Sequence, residues 1–258
     1  MARSTFYYYL KKMEEPEKHS LVKTSIIAVY HQHKGRYGYR RITTALKKDG
    51  MQVNHKRVAR IMNECGLKSL VRIKKYRSYK GQQGKIARNL LKRNFEARRP
   101  NQKWVTDVTE FSVAGKKLYL SPIMDLYNRE IVSYNISQRP TFHQTMDMLK
   151  EALKRLSPGS RPILHSDQGW QYQMRAYQDI LRERKIKQSM SRKANCLDNA
   201  VMESFFGILK SEMFYINKFK SIDALKKEID NYIHYYNNDR IKQKLNGLSP
   251  VQFRTQAA

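Results

Sequence analysis

Apolar residues recur along the chain with two different spacings, which divide it into two parts. In the first part the spacing is helical and predicts helices at 20–30, 41–48 and 54–65. Asn54 is a suitable N-cap for the third helix, and Gly66 stands where a helix-ending glycine belongs. Three short helices joined by tight connections predict a helix-turn-helix-like domain.

The third of these helices carries candidate DNA contacts. Its apolar stripe predicts the buried face, and Lys56, Arg57 and Arg60 lie on the opposite face, where they would reach phosphates or base edges. A basic, solvated helix in a small bundle is the alternative interpretation of the same pattern.

A basic stretch follows the three helices. Residues 68–93 contain ten Lys or Arg and no acidic residue, with Tyr76 and Tyr79 between the cations. We predict a basic linker over 68–100, because cations interleaved with aromatics can follow a nucleic-acid backbone. A linker that is only solvated remains the alternative. The candidate DNA contacts in the linker are its central cations, Lys74, Lys75 and Arg77.

After Pro100 the spacing changes to that of β-strands alternating with helices. Three strands are predicted first, at 104–111, 118–126 and 131–136. The later elements are helices at 142–156, 174–184, 199–210 and 221–237, with short strands at 162–167 and 186–190. The order βββαβαβα, followed by a helix, predicts an α/β domain with a mixed sheet flanked by helices. We therefore place a helix-turn-helix-like domain at 1–67 and a mixed α/β domain at 101–258.

Charge narrows the choice of partner. The 258 residues include 51 Lys and Arg against 22 Asp and Glu, a formal charge of +29, and the first hundred residues hold 26 of those cations but only 6 of the acids. A field this positive selects polyanions. No apolar run approaches the ~18 residues of a membrane span, and the N-terminus lacks the apolar stretch of a signal peptide. These patterns predict a cytoplasmic, nucleoid-associated protein that binds nucleic acid and no membrane.

Cysteine usage excludes two further classes of protein. Only Cys65 and Cys196 are present, far apart and without a CxxC pair. Neither a disulfide framework nor a zinc finger is indicated.

Three carboxylates stand where chemistry is expected. Asp107 lies within an apolar strand, Asp167 ends a short strand, and Glu203 lies on the helix 199–210. Each alone has a structural interpretation, such as a turn acceptor or a solvated helix residue. Carboxylates converging from two strands and a helix are suited to hold two magnesium or manganese ions (Mg²⁺ or Mn²⁺) for an in-line displacement at phosphorus.

Three further residues near these carboxylates receive a prediction. Lys210 comes seven residues after Glu203 and therefore shares its helix face, two turns along. For His165 we predict packing or support of the site rather than catalysis. Asp125 is predicted to cap the turn that follows its strand.

Three motifs carry a family resemblance: WVTDVTEF (104–111), HSDQGWQY (165–172) and NAVMESFFGILKSE (199–212), with 35 residues between Asp167 and Glu203. They resemble the DD(35)E catalytic core of the retroviral-integrase superfamily, which has a ribonuclease-H-like fold. Almost the whole chain is similar to the second-reading-frame product, OrfB, of the IS-three family of bacterial insertion-sequence transposases.

The resemblance implies a set of roles and partners. Asp107, Asp167 and Glu203 would bind the metal ions, and Lys210 would contact substrate DNA. The expected activity is metal-dependent DNA cleavage and strand transfer on terminal inverted repeats and target DNA, by a homo-oligomer. Fusion or association with an upstream-frame product is a further expectation. A DNA-binding regulator without catalysis is the alternative, and a cellular ribonuclease H would leave the basic N-terminal part unexplained.

Overall fold

A computed structural model describes residues 3–7, 20–70, 86–192 and 196–256. It divides the chain into two compact units, Met1–Val71 and Arg72–Ala258. Among the described residues, no helix combines the length and the apolar composition needed to cross a membrane.

Residues 20–70 of the first unit form three helices, as predicted. They are α1 (Ser20–Gln32), α2 (Tyr39–Lys48) and α3 (His55–Glu64). The Asn54 side chain accepts a hydrogen bond from the Lys56 backbone N–H at 2.9 Å, which confirms it as the N-cap of α3. Gly66 has φ +65°, a left-handed conformation that glycine adopts without strain. The core of this unit is formed by Ile26, Val29, Tyr37, Ile42, Leu46, Val53, Val58, Ile61 and Met62.

The second unit contains a six-stranded mixed sheet. Its strands are β1 (Lys103–Thr106), β2 (Thr109–Val113), β3 (Lys116–Asp125), β4 (Ile131–Ser137), β5 (Ile163–Ser166) and β6 (Lys187–Met190). The order is β2-β3-β1-β5-β6, with β4 paired to β3. The pairs of β3 with β1, β2 and β4 are antiparallel, and β5 is parallel to both β1 and β6.

Helices cover both faces of this sheet. They are α4 (Phe142–Lys154), α5 (Trp170–Gln173), α6 (Arg175–Glu183), α7 (Ala200–Leu209), α8 (Ile222–Asn238) and α9 (Pro250–Gln256). Short 3₁₀ turns occupy Cys196–Asn199 and Gln243–Leu245, and a π-helical turn, Lys210–Phe214, continues α7. One apolar cluster joins the sheet to α7 and α8, and a second joins it to α4 and α6. This is the mixed, helix-flanked α/β architecture that the element order predicted.

The predicted single strand over 104–111 is wrong as one element, since it is broken between β1 and β2. The two strands share one register on β3: Thr106 lies opposite Ile123 and Thr109 opposite Leu120. That register places Asp107 opposite Pro122. The Leu126 N–H donates to the Lys103 carbonyl, so Lys103 and Leu126 form a hydrogen-bonded pair of the antiparallel ladder. Such pairs recur at every second residue, and Asp107 with Pro122 is therefore also a hydrogen-bonded pair. In this alternation residue 122 would donate to the Asp107 carbonyl, but proline has no N–H, so the ladder is interrupted at the aspartate.

Residues 86–100, which fall in the predicted linker 68–100, pack on the second unit. Leu91 is buried in the cluster beneath α7 and α8. Along the outer edge of β6, the Leu90 N–H donates to Ser189 Oγ at 2.8 Å and the Met190 N–H to the Arg88 carbonyl at 3.4 Å. This part of the predicted linker therefore covers an edge of the sheet.

Candidate active site

Asp107 sits at the break between β1 and β2, half-buried beside the start of α7. Its Oδ1 accepts a 2.7 Å hydrogen bond from the Val108 N–H, and its Oδ2 accepts one of 2.9 Å from the Asn199 side chain. At this interruption of the strand, one backbone N–H and one side-chain amide together hold the Asp107 carboxylate.

Asp167 directly follows β5, the parallel neighbour of β1. The carboxyl ends of adjacent parallel strands lie at the same edge of a sheet, so Asp107 and Asp167 leave that edge side by side. The Gly169 N–H donates to Asp167 Oδ1 at 2.9 Å. A Cβ atom at position 169 would lie 2.9 Å from this same oxygen, so the contact requires glycine.

Glu203 lies in the first turn of α7 and completes a group of three carboxylates. The pKa of Asp107 is raised well above its ordinary value, first by burial and then by the negative charges of Asp167 and Glu203, against the opposing hydrogen bonds from Val108 and Asn199. Burial also raises the pKa of Asp167. The structure thus brings together the three carboxylates that the sequence singled out.

The three carboxylates bring negative charge to one edge of the sheet, but their oxygens do not converge on a single position. In the described ranges, no three His, Cys, Asp or Glu side chains approach closely enough to share one metal ion. Backbone N–H groups of Val108 and Gly169 hold the Asp107 and Asp167 carboxylates in place. The donor set nevertheless fits a hard divalent cation, because it consists of carboxylate oxygens whose repulsion a cation would relieve.

Lys210 lies beside this group, at the junction of α7 and the π-helical turn. Its Nζ donates to the Glu110 carbonyl at 2.9 Å and lies 5.1 Å from the centre of the Phe111 ring. Burial lowers the pKa of its ammonium group, while the charges of Glu110 and Asp107 oppose that shift. The predicted helix 199–210 is correct up to this residue, where the Tyr215 N–H closes a wider turn onto the Lys210 carbonyl.

The predicted DNA contacts of the first unit lie on the outer side of α3. Lys56 and Arg60 are exposed, Arg57 is half-buried, and Arg60 lies 3.6 Å from Glu64 in a surface ion pair. The linker candidates Lys74, Lys75 and Arg77 lie outside the described residues. The DNA-binding roles of all six cations stay predictions.

His165 and Asp125 have the structural roles predicted for them. His165 is fully buried, with Nε2 2.9 Å from the Asp198 carbonyl and Nδ1 2.8 Å from Ser189 Oγ. Asp125 accepts hydrogen bonds from the backbone N–H groups of Tyr127 and Asn101 and pairs with Arg254. Neither side chain is free to act on a substrate.

The sequence analysis missed Asp198, which lies in the 3₁₀ turn before α7. Its fully buried carboxylate accepts hydrogen bonds from Asn89, Arg93 and Arg192 at 2.9 to 3.1 Å. The hydrogen bond from Arg192 is the largest of the effects that hold the pKa of this carboxyl well below its ordinary range. Two of the partners lie more than a hundred positions away, so only the nearby Arg192 was a signal in the sequence.

The fold and this group of carboxylates define a class of protein. Residues 97–196 and 203–257 match two families that are both described as integrase core domains, and residues 16–75 match an HTH-like domain. The chain is similar in fold to a chain of the simian T-cell lymphotropic virus intasome, with a TM-score of 0.52 and 18% identity over 89% of this chain and 74% of the viral one. The second unit is an integrase-type polynucleotidyl transferase core.

Curated relatives identify the family within this class. The chain is 56% identical over 254 residues to the putative transposase InsK for insertion sequence element IS150 of Escherichia coli, which covers 98% of this chain and 90% of that protein. It is 36% identical over 231 residues to the transposase InsF for insertion sequence IS3A, also of Escherichia coli, covering 88% and 80% of the two chains. The chain belongs to the IS-three family of insertion-sequence transposases, as an OrfB product.

Proposed function

We propose that Asp107, Asp167 and Glu203 hold two divalent ions, Mg²⁺ or Mn²⁺, and that this transposase uses them to cut and join DNA. The observation that carries the proposal is the position of the three carboxylates: Asp107 and Asp167 follow the carboxyl ends of the adjacent parallel strands β1 and β5, and Glu203 lies in the first turn of α7. Carboxylates gathered at one edge of a sheet raise one another's free energy unless cations or protons offset their charge. Divalent ions with oxygen ligands are the natural counterions for such a group.

The side chains of the protein would bind and orient DNA for two reactions, cleavage and joining. When bound, the ions would activate the attacking oxygen and stabilise the leaving oxygen of an in-line displacement. In cleavage, water forms a bond to phosphorus while the bond to the 3′ oxygen at the element end breaks. In joining, that 3′-hydroxyl attacks a second phosphodiester and displaces another 3′ oxygen. Neither step needs a covalent bond to the protein.

The macromolecular partners are part of the same proposal. The expected substrates are terminal inverted repeats and target DNA, bound by the HTH-like unit and by the exposed cations of α3. We expect a homo-oligomer on DNA, since two element ends must be joined together, and fusion or association with an upstream-frame product. A terminal-repeat duplex that shifts the chain to a discrete oligomer in a sedimentation experiment would support this assembly.

Metal dependence is the direct test of the proposed chemistry. A labelled terminal-repeat duplex should be nicked by the full chain when Mg²⁺ or Mn²⁺ is supplied, and excess EDTA should abolish nicking. The assay scores cleaved strands on a denaturing gel, and DNA binding is followed separately by fluorescence anisotropy. Nicking that persists in EDTA would contradict the proposal, and binding without nicking in either metal would favour a DNA-binding regulator.

Lys210→Ala is expected to weaken DNA binding without changing the metal requirement. Its ammonium lies beside Asp107 but donates to the Glu110 carbonyl, which places it next to the carboxylates rather than between them. Losing one phosphate contact should reduce the log–log salt slope of DNA affinity by about 0.9. The Mn²⁺ concentration for half-maximal activity should stay constant. The control is Lys187→Ala, which removes a lysine at an exposed position of β6. An unchanged salt slope in Lys210→Ala would contradict the DNA contact and would assign Lys210 to packing against Phe111.

Gly169→Ala is expected to slow strand transfer while the fold persists. The added Cβ would lie 2.9 Å from Asp167 Oδ1 and 2.5 Å from Gln171 Nε2; the flexible Gln171 can swing away, but the carboxylate cannot move without losing the Gly169 N–H. Misplacing a catalytic group by about 1 Å can cost about 10²-fold in rate. Single-turnover rates and melting temperatures check this result. Gly115→Ala is the control. Its φ of +73° is unfavourable for alanine, so this substitution should lower the melting temperature without placing an atom against Asp167.

A further inference from the structure

The 3₁₀ turn Cys196–Asn199 precedes the helix of Glu203 and contacts Asp107 through one buried amide. Asn199 is 6% exposed, and its Nδ2 donates to Asp107 Oδ2 at 2.9 Å. Four residues later along the same chain segment, Glu203 stands in the first turn of α7. A single side chain therefore connects the broken strand that carries Asp107 to the helix that carries Glu203.

The same amide has one unused polar atom. Asn199 Oδ1 is buried and has no hydrogen-bond partner among the described residues. Buried polar atoms without partners are uncommon in folded proteins and require a reason. An acceptor left open next to three carboxylates is suited to a water or hydroxyl donor that enters the site with its ligands.

The turn that presents Asn199 is held rigidly by its neighbour Asp198. The Asp198 carboxylate is gripped by Arg93, Arg192 and Asn89. Its carbonyl accepts from His165 Nε2 at 2.9 Å, so Nδ1 of this histidine accepts from Ser189 Oγ, which in turn accepts from the Leu90 N–H. A buried hydrogen-bond chain therefore fixes the backbone from which Asn199 projects.

We propose that Asn199 is a positioning residue for catalysis: its N–H fixes the Asp107 carboxylate, and its free oxygen accepts a hydrogen bond from a water held at the same site. An aliphatic side chain would supply neither interaction. A group that orients a metal-binding carboxylate typically contributes about 10- to 100-fold to metal affinity or activity. The inference rests on the proposed function, because it assumes that Asp107 is a metal ligand.

The test compares Asn199→Ala with the wild-type full chain. Mn²⁺ binding to the DNA-free protein is measured by electron paramagnetic resonance of the free ion, and strand-transfer kinetics give kcat and the KM for DNA. We expect the Mn²⁺ dissociation constant to rise, and kcat at saturating Mn²⁺ to fall, by about 10-fold or more, with the KM for DNA unchanged. Mn²⁺ affinity and kcat within twofold of wild type would overturn the proposal.

Two further variants remove ambiguity from this result. Leu181→Ala, on the buried face of α6, should lower the melting temperature without changing any residue of the site. If Leu181→Ala reduces Mn²⁺ affinity as much as Asn199→Ala does, Asn199 is structural and the proposal fails. Asp167→Asn tests the underlying function. If Asp167→Asn loses Mn²⁺ binding while Asn199→Ala keeps it, only the inference about Asn199 is wrong; if both behave as wild type, the proposed metal site is wrong.

Discussion

Asp107→Asn, Asp167→Asn and Glu203→Gln should each reduce DNA cleavage and strand transfer to less than a few per cent of wild type while DNA affinity stays the same. The reason is a separation of roles: phosphate contacts by Lys and Arg dominate affinity, whereas the proposed metal ligands act in the chemical step. Cleavage on a labelled terminal-repeat duplex and binding by anisotropy measure the two quantities. Any variant that retains more than a few per cent of strand transfer removes its residue from the catalytic group.

A second readout on the same variants uses the metal-free protein. Because burial and the neighbouring carboxylates raise the pKa of Asp107, its ionised form is disfavoured in the folded state, and Asp107→Asn is expected to raise the melting temperature without metal. Surface changes of the same chemistry serve as controls: Asp179→Asn on α6 and Glu151→Gln on α4 lie in exposed ion pairs. Both controls should leave cleavage and melting temperature nearly unchanged.

Arg240→Met should destabilise the second unit by about 3–5 kcal/mol, because it removes the positive charge paired with the buried Glu212 carboxylate. Arg240 is 3% exposed at the side chain, and its guanidinium holds Glu212 with two hydrogen bonds of 2.6 and 2.8 Å. Tyr232 donates a further hydrogen bond to the same carboxylate. Urea denaturation of the full chain, followed by far-ultraviolet circular dichroism, measures the change in the free energy of unfolding.

The control for this buried pair is an exposed one. Arg182 and Asp179 lie 2.6 Å apart on α6 with side chains 74% and 36% exposed. Arg182→Met should cost at most about 1 kcal/mol, since surface ion pairs contribute little. The double variant Glu212→Gln with Arg240→Met should recover part of the lost stability because no charge is then left buried. A loss of under 1 kcal/mol in Arg240→Met would show that the carboxylate is adequately solvated without the arginine.

Local patterns were sufficient to predict most elements of the fold and to single out the three carboxylates of the candidate site. The helices of the first unit follow from apolar spacing and from the caps Asn54 and Gly66, which act within a few residues. Asp167 and Glu203 were recognisable because a strand end and an otherwise apolar helix are unusual places for a lone acid. Caps, strand ends and apolar spacing can be recognised from residues that lie within a few positions of one another in the sequence.

The features that were missed depend on distant residues. The break at Asp107 comes from Pro122, which faces it only after β3 has folded back onto β1. Asp198 acquires its role from Arg93 and Asn89, which approach it only in the folded domain. No local window contains both partners of such a contact, so spacing and propensity could not predict either feature.

The segment at 86–90 lies along β6 at one edge of the sheet. β6 is the last strand of the sheet, and an exposed edge strand is a template onto which another chain can add. The Arg88 carbonyl accepts a hydrogen bond from the Met190 backbone N–H on that edge, and the Leu90 N–H donates to the Ser189 side chain. A catalytic fragment that began at residue 101 would lose this cover, together with two partners of Asp198, and would be prone to aggregate through its bare strand.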